Sequence, residues 1–198
     1  MNHLIVFAHP NEESFCKGIV DTIKSISEKK GDNIVIRNLY KLGFDPILKP
    51  SDFVGIQSGN MPEDIGAEQE FVKWADVITF VYPVWWVGLP AMLKGYVDRV
   101  FSYGFAYESV NGAPRGLLNG KKALLFCTTG SPNEVYDQNG MHDSMKQTTG
   151  AGIFNFTGIE VINHTFFGAV PSVSDETRKE YLKEVEKIIM DNINNSLL

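Results

Sequence analysis

Apolar residues in this chain follow two rhythms that alternate from end to end. Continuous runs rich in β-branched and aromatic residues lie at 4–7, 77–81 and 123–128, with more mixed runs at 33–39 and 160–165. Runs of that length, bounded by turn residues, predict five strands. Between them apolar residues recur every three or four positions. Phe15, Ile19, Val20, Ile23 and Ile26 form one such stripe and predict a helix over 14–30 that Gly31 stops. Leu93, Val97 and Phe101 form another, with Pro90 suited to its first turn. A helix is predicted around 63–74. A last one, opened by Ser174 with Asp175 and Glu176 in its first turn, carries Tyr181, Leu182, Val185, Ile188 and Ile189 on one face. Residues 40–62 fit neither rhythm, and a connection that long is usually functional or locally structured.

Strands alternating with helices, without repeat or low-complexity linker, predict an α/β fold covered on both faces. The expected architecture is a flavodoxin-like, doubly wound, five-stranded parallel sheet of order 2-1-3-4-5, forming a single domain over residues 1–198. Its switch point lies between the first and third strands, so the loops after strands one, three and four converge on one site.

Composition narrows the function classes. The 198 residues carry a net charge of −6, interspersed and without a basic stripe, which argues against a nucleic-acid partner. Cys16 and Cys127 form neither a metal-spaced pair nor a disulfide framework, which fits a reducing compartment and no metal site. Nothing at the start of the chain resembles a signal peptide. The uncharged run at 77–93 approaches the length of a membrane span, but Pro83, Gly88 and Pro90 interrupt it. The expectation is a soluble cytoplasmic protein.

The three converging loops carry the candidate chemistry. After the third strand come Pro83, Val84, Trp85, Trp86, Val87, Gly88 and Pro90, two indoles held between prolines. A large flat ligand suits them; core aromatics are the other reading. After the first strand, His9 and Ser14 to Cys16 meet a helix N-terminus, whose free N–H groups and positive dipole end make a phosphate cradle. Neither G-x-G-x-x-G nor a P-loop occurs there, and Ser14 serves equally as an ordinary N-cap. After the fourth strand come Thr128, Thr129 and Gly130, then Tyr136 and His142, which a turn at Asn139-Gly140 brings towards one pocket. A phenol and an imidazole there can donate hydrogen bonds to charge developing on a bound ring, or simply brace the loop.

The central motif is long and specific: Pro83-x-x-Trp86-x-Gly88-x-Pro90-Ala91-x-Leu93-Lys94-Gly95. With it go His9, Ser14 and Phe15; Ala67-Glu68-Gln69 followed by Ala75-Asp76; Phe105-Ala106-Tyr107; and Thr128-Thr129-Gly130 with Tyr136 and His142. Together they resemble the NAD(P)H:quinone oxidoreductase (DT-diaphorase) family. Its flavodoxin-like flavoproteins include modulator-of-drug-activity and potassium-efflux ancillary reductases. The resemblance runs from His9 to the strand near Glu160.

It implies a homodimeric flavoenzyme, with FAD or FMN as cofactor and NAD(P)H as co-substrate, reducing quinones or similar planar acceptors by two electrons in a ping-pong cycle. His9, Ser14, Phe15 and Cys16 would contact the phosphate and ribityl part. Pro83, Val84, Trp85, Trp86 and Val87 would lie against the ring system, with Thr128, Thr129 and Gly130 at its pyrimidine end. Tyr136 and His142 would be catalytic, stabilising the negative charge of the reduced ring. Trp86 and His142, with Phe105 and Tyr107 from the second subunit, would wall the substrate slot.

Some positions depart from the family pattern. Cys16 stands where mammalian members have an asparagine touching the pyrophosphate, Ser109 where they have a second pocket tyrosine, and their long C-terminal extension has no counterpart. The choice between FAD and FMN stays open, as do NADH versus NADPH and the acceptor. Two alternatives remain: an azo, nitro or flavin reductase of the same fold, and a flavin-bearing regulatory subunit of a potassium-efflux channel, whose partner would be a membrane protein.

Overall fold

The computed structural model describes residues 1–194. In chain order its strands are β1 (Asn2–Phe7), β2 (Asn33–Asn38), β3 (Val77–Pro83), β4 (Tyr107–Val110), β5 (Ala113–Gly116), β6 (Lys122–Thr128) and β7 (Glu160–Phe167). The helices are α1 (Phe15–Lys30), α2 (Pro50–Ser58), α3 (Glu63–Trp74), α4 (Ala91–Val100), α5 (Asn133–Gln138), α6 (Met141–Met145) and α7 (Asp175–Asn194), with a π-helix over Lys146–Phe154. β2, β1, β3, β6 and β7 pair in that order, all parallel. This is the expected 2-1-3-4-5 arrangement of the five sheet strands.

Because side chains alternate across a strand, the sheet feeds two cores. Leu4, Val6, Ile78, Phe80, Ala123 and Leu125 face α3 and α4, meeting Val72, Leu93, Tyr96 and Val100. Ile5, Phe7, Val81, Leu124 and Phe126 face α1 and α7, meeting Ile19, Val20, Ile23, Val185 and Ile189. Phe80 is fully buried and stacks edge-on against Phe154 at 4.9 Å between centroids. At the front of α1, the Ser14 hydroxyl accepts from Lys17 N at 3.3 Å, a cap worth about 1 kcal/mol. Buried His3 pins β1 to its neighbours, its Nε2 2.7 Å from Thr79 Oγ1 and its Nδ1 3.3 Å from Ser27 Oγ.

Three segments differ from the sequence expectation. The stretch 40–62 contains α2, and it is fastened down. Arg99 of α4, almost fully buried, donates through Nε to Asp52 (2.9 Å) and through Nη1 to Asp64 (2.5 Å) and the carbonyl of Asp45 (2.8 Å). Gly95 lets the backbone of Pro46 lie directly on α4; a Cβ at 95 would overlap the Pro46 carbonyl. Between α4 and β6, the antiparallel hairpin β4–β5 stands outside the main sheet. Residues 133–157 coil into α5, α6, the π-helix and a single 3-10 turn. No described helix is long and apolar enough to cross a membrane.

Candidate active site

The carboxyl ends of β1, β3 and β6 frame a cleft of about 460 Å³ at the switch point. His9, Ser14, Phe15 and Cys16 line it from the first loop, Pro83, Val84, Trp85 and Trp86 from the second, and Thr128, Thr129, Gly130, Ser131 and Tyr136 from the third. Val170 and Pro171 close it. None of these residues carries a formal charge. The lining mixes hydroxyls, at Ser14, Thr128, Thr129 and Ser131, with rings, at Phe15, Trp85, Trp86 and Tyr136.

At the first loop the start of α1 presents first-turn N–H groups that a helix cannot satisfy internally. Asn11 N donates to His9 Nδ1 at 3.0 Å, which puts the proton of the neutral ring on Nε2. Burial holds His9 below its ordinary pKa and so favours that neutral form. Cys16 is buried with Sγ 3.3 Å from Thr128 Oγ1, and burial pushes its thiol up to about 12. It packs as an inert thiol and offers no nucleophile.

The second loop is a tight two-residue turn. Gly88 N donates to Trp85 O (3.2 Å) and Trp85 N to Gly88 O (3.3 Å), leaving Trp86 and Val87 at the tip. Both hold left-handed backbone, φ 52° and 57°, a conformation that costs an ordinary residue about 1–2 kcal/mol. Trp86 is fully exposed and Trp85 43 % exposed, so neither is a core aromatic. Val87 turns the other way, packs against the α3–α4 core and does not line the cleft. Val84 N donates to Thr128 O at 2.8 Å and ties this loop to the next.

At the third loop the sequence missed three wall residues. Thr129 N donates to Phe167 O (2.9 Å), Val170 N to Thr129 O (3.0 Å) and Ala169 N to Ser131 O (2.9 Å), lacing the segment after β7 onto the loop after β6. That lacing brings Ser131, Val170 and Pro171 to the cleft. The available signal was their position at the carboxyl ends of the fourth and fifth sheet strands.

Tyr136 lines the cleft and His142 stands behind it. Gly140, at φ 65°, turns the chain between α5 and α6, and the two rings stack at 5.3 Å with 13° between planes. His142 is only 6 % exposed, its other face on Phe166 at 4.3 Å. Its Nδ1 pairs with Asp137 Oδ1 at 2.7 Å, while Nε2 is buried without a partner in the described residues. A buried imidazole nitrogen without a partner is costly unless a ligand or water supplies one.

Phe105 and Tyr107 do not line the cleft of their own chain. Phe105 lies half-buried beneath the Lys73 ammonium, 5.8 Å from its ring. Tyr107 packs on Phe156 (5.1 Å) and Tyr103 (5.7 Å) in a patch where both neighbours are exposed.

The pattern of the flavodoxin-like fold family matches residues 1–189. The chain is 44 % identical over 184 residues to an uncharacterized NAD(P)H oxidoreductase of Haemophilus influenzae, covering 92 % of this chain and 91 % of that one. It is 30 % identical to human ribosyldihydronicotinamide dehydrogenase [quinone], covering 89 % and 85 %. Among solved structures, an NAD(P)H:quinone oxidoreductase from Methanothermobacter marburgensis superimposes with a TM-score of 0.87 at 27 % identity, covering 98 % of this chain and 97 % of that one. Fold, switch-point cleft and relatives agree: the chain belongs to the flavodoxin-like fold family, among its NAD(P)H:quinone oxidoreductases.

Proposed function

We propose that this chain is a cytoplasmic, homodimeric flavoenzyme that reduces quinones or similar planar acceptors by two electrons at the expense of NAD(P)H. The Methanothermobacter relative is named for NAD(P)H-dependent quinone reduction, and the human one for quinone reduction with ribosyldihydronicotinamide. The observation that carries the flavin reading is the mixed lining of the cleft: neutral hydroxyls and a helix N-terminus for a phosphate-bearing tail, and aromatic rings for a flat body. When bound, the flavin supplies the two-electron carrier of a ping-pong cycle; FAD is the proposed form and FMN the alternative.

This chain's residues supply position and electrostatics. Ser14 and the α1 N-terminus hold the anionic tail, with His9 beside them. Pro83, Val84 and Trp85 fix the plane of the ring, and Thr128 to Gly130 bound its polar edge. Tyr136 and His142 stabilise negative charge as it develops, and Trp86 covers the substrate slot. The exposed aromatic and aliphatic side chains of Phe53, Val54, Tyr103 and Phe156 make the kind of apolar patch that a second copy would cover. That contact would bring Phe105 and Tyr107 to the opposite slot.

The test begins with the visible spectrum of purified protein and chromatography of its released flavin. A yellow protein releasing FAD or FMN is expected, and a colourless protein that takes up neither overturns the proposal. Initial rates with NAD(P)H and menadione should give parallel lines; intersecting lines would replace the shared slot by a ternary complex.

A further inference from the structure

A second cavity, about 470 Å³, lies between the π-helix and β7 and shares no residue with the cleft. Its polar lining is Lys146, Asn155, Asn163 and His164. The acceptors of the two amides are already used: Asn155 Oδ1 accepts from Val161 N (3.4 Å) and Asn163 Oδ1 from the Thr165 hydroxyl (2.5 Å). Both amide nitrogens are left as donors. Lys146 is exposed and pairs with no carboxylate among the described residues. No acidic side chain lines the cavity, in a chain of net charge −6.

His164 sits in the same wall with both ring nitrogens buried and without partners in the described residues. Neither nitrogen is open to the cavity, so an occupant meets this residue through its other atoms. Gly150 packs close to this ring, where a Cβ would touch Nδ1 at 3.8 Å. The π-helix carrying Gly150 is a rare element that recurs at functional sites. Val161 and Ile162 add apolar wall, and the volume is roughly fifteen times the share of one water molecule.

We infer that this cavity binds a small organic anion, a compact body bearing a carboxylate or phosphate. Lys146 and the two amides take the charged group, and the body lies against His164, Val161 and Ile162. The inference does not rest on the flavin reading, because the two sites have no lining residue in common.

The test follows the imidazole C2–H signals of the protein's four histidines by NMR in the purified full chain. His164→Phe, which keeps a ring against Phe166, assigns the signal. Titrated with benzoate or phenyl phosphate, His164 should shift saturably. Lys146→Met should weaken binding about tenfold or more, as loss of a hydrogen bond to a charged group does, while Lys146→Arg retains it. Diaphorase turnover of Lys146→Met should stay at the parent value. Absence of any shift with both anions overturns the inference. So does an equal response to neutral benzamide, an unchanged affinity in Lys146→Met, or inorganic phosphate binding as tightly as phenyl phosphate, which would reduce the cavity to a bare-ion patch.

Discussion

Trp86→Asn should make the protein more stable and a worse enzyme at once. Trp86 sits at φ 52° on the tip of the turn between Trp85 and Gly88 with its ring fully exposed. An ordinary residue in that conformation costs about 1–2 kcal/mol, and asparagine adopts it far more readily. No buried area is lost, and the unfolded chain gains none of the freedom that glycine would give it. The net gain is about 1 kcal/mol, which for a chain of this size raises Tm by roughly 2–4 °C. If the indole covers the substrate slot, its loss removes a stacking contact worth about 0.5–1.5 kcal/mol, and KM for menadione and NAD(P)H should rise roughly two- to tenfold. Thermal melts of flavin-free protein and steady-state kinetics check the two halves separately. A Tm below that of the parent would refute the reasoning, because the ring would then be packed rather than held out in water against backbone strain.

Arg99→Met leaves the buried Asp52 carboxylate without its cation and should destabilise the fold by about 3–5 kcal/mol in urea unfolding; a loss under 1 kcal/mol would mean that the excursion at 40–62 is held by other contacts. Acid should weaken the fold between pH 6.5 and 5. Burial holds His3 at about 4 against an unfolded value of 6.5, so the unfolded chain takes up a proton that the folded one refuses, and stability falls as pH falls. His3 alone accounts for about 2 kcal/mol by pH 5, with His164 adding in the same direction, and equal urea midpoints at pH 7 and 5 would contradict this. Tyr136→Phe and His142→Ala should bind oxidised flavin almost normally yet be reduced by NAD(P)H about ten- to a hundredfold more slowly in stopped-flow. Lost flavin with an unchanged reduction rate would make both residues braces.

The three inner strands were legible because they are buried on both faces and read as largely apolar runs, such as 77–81 and 123–128, whereas the edge strands β2 and β7 are only half-buried and read as mixed runs. The alternation of strand and helix indicates a parallel sheet, and its order came from taking five such strands as the flavodoxin type of doubly wound sheet. The hairpin β4–β5 was not read although Asn111-Gly112, at φ 53° and 80°, is a strong turn signal. Its four-residue strands are half-exposed or exposed and contain Pro114, so no alternation survives. The excursion at 40–62 is held by polar side chains meeting across 35 and 47 residues, Asp64 and Asp52 on Arg99, which no periodicity announces. At the site, each loop that ends a strand was legible. Two things were not: that Val87 would turn inward, which depends on a strained tip, and that Val170 would reach the cleft, which depends on lacing between β6 and β7. His142 was read as facing a ligand directly, whereas it stands one ring behind Tyr136.

That second-row position gives Asp137 a consequence of its own. The carboxylate is 66 % exposed, yet it holds Nδ1 of a nearly sealed imidazole. With Nδ1–H donating outward, the neutral ring keeps a bare lone pair at Nε2, and only the doubly protonated ring can donate there. Asp137 itself stands in water at the outer edge of that ring. In the proposed reaction the two sides of the site are therefore held separately: the nicotinamide comes to the open mouth beside Trp85, while Asp137 fixes the imidazole from the rear. A flat molecule can cover the front of the cleft while the imidazole behind it keeps its tether to a solvent-facing carboxylate.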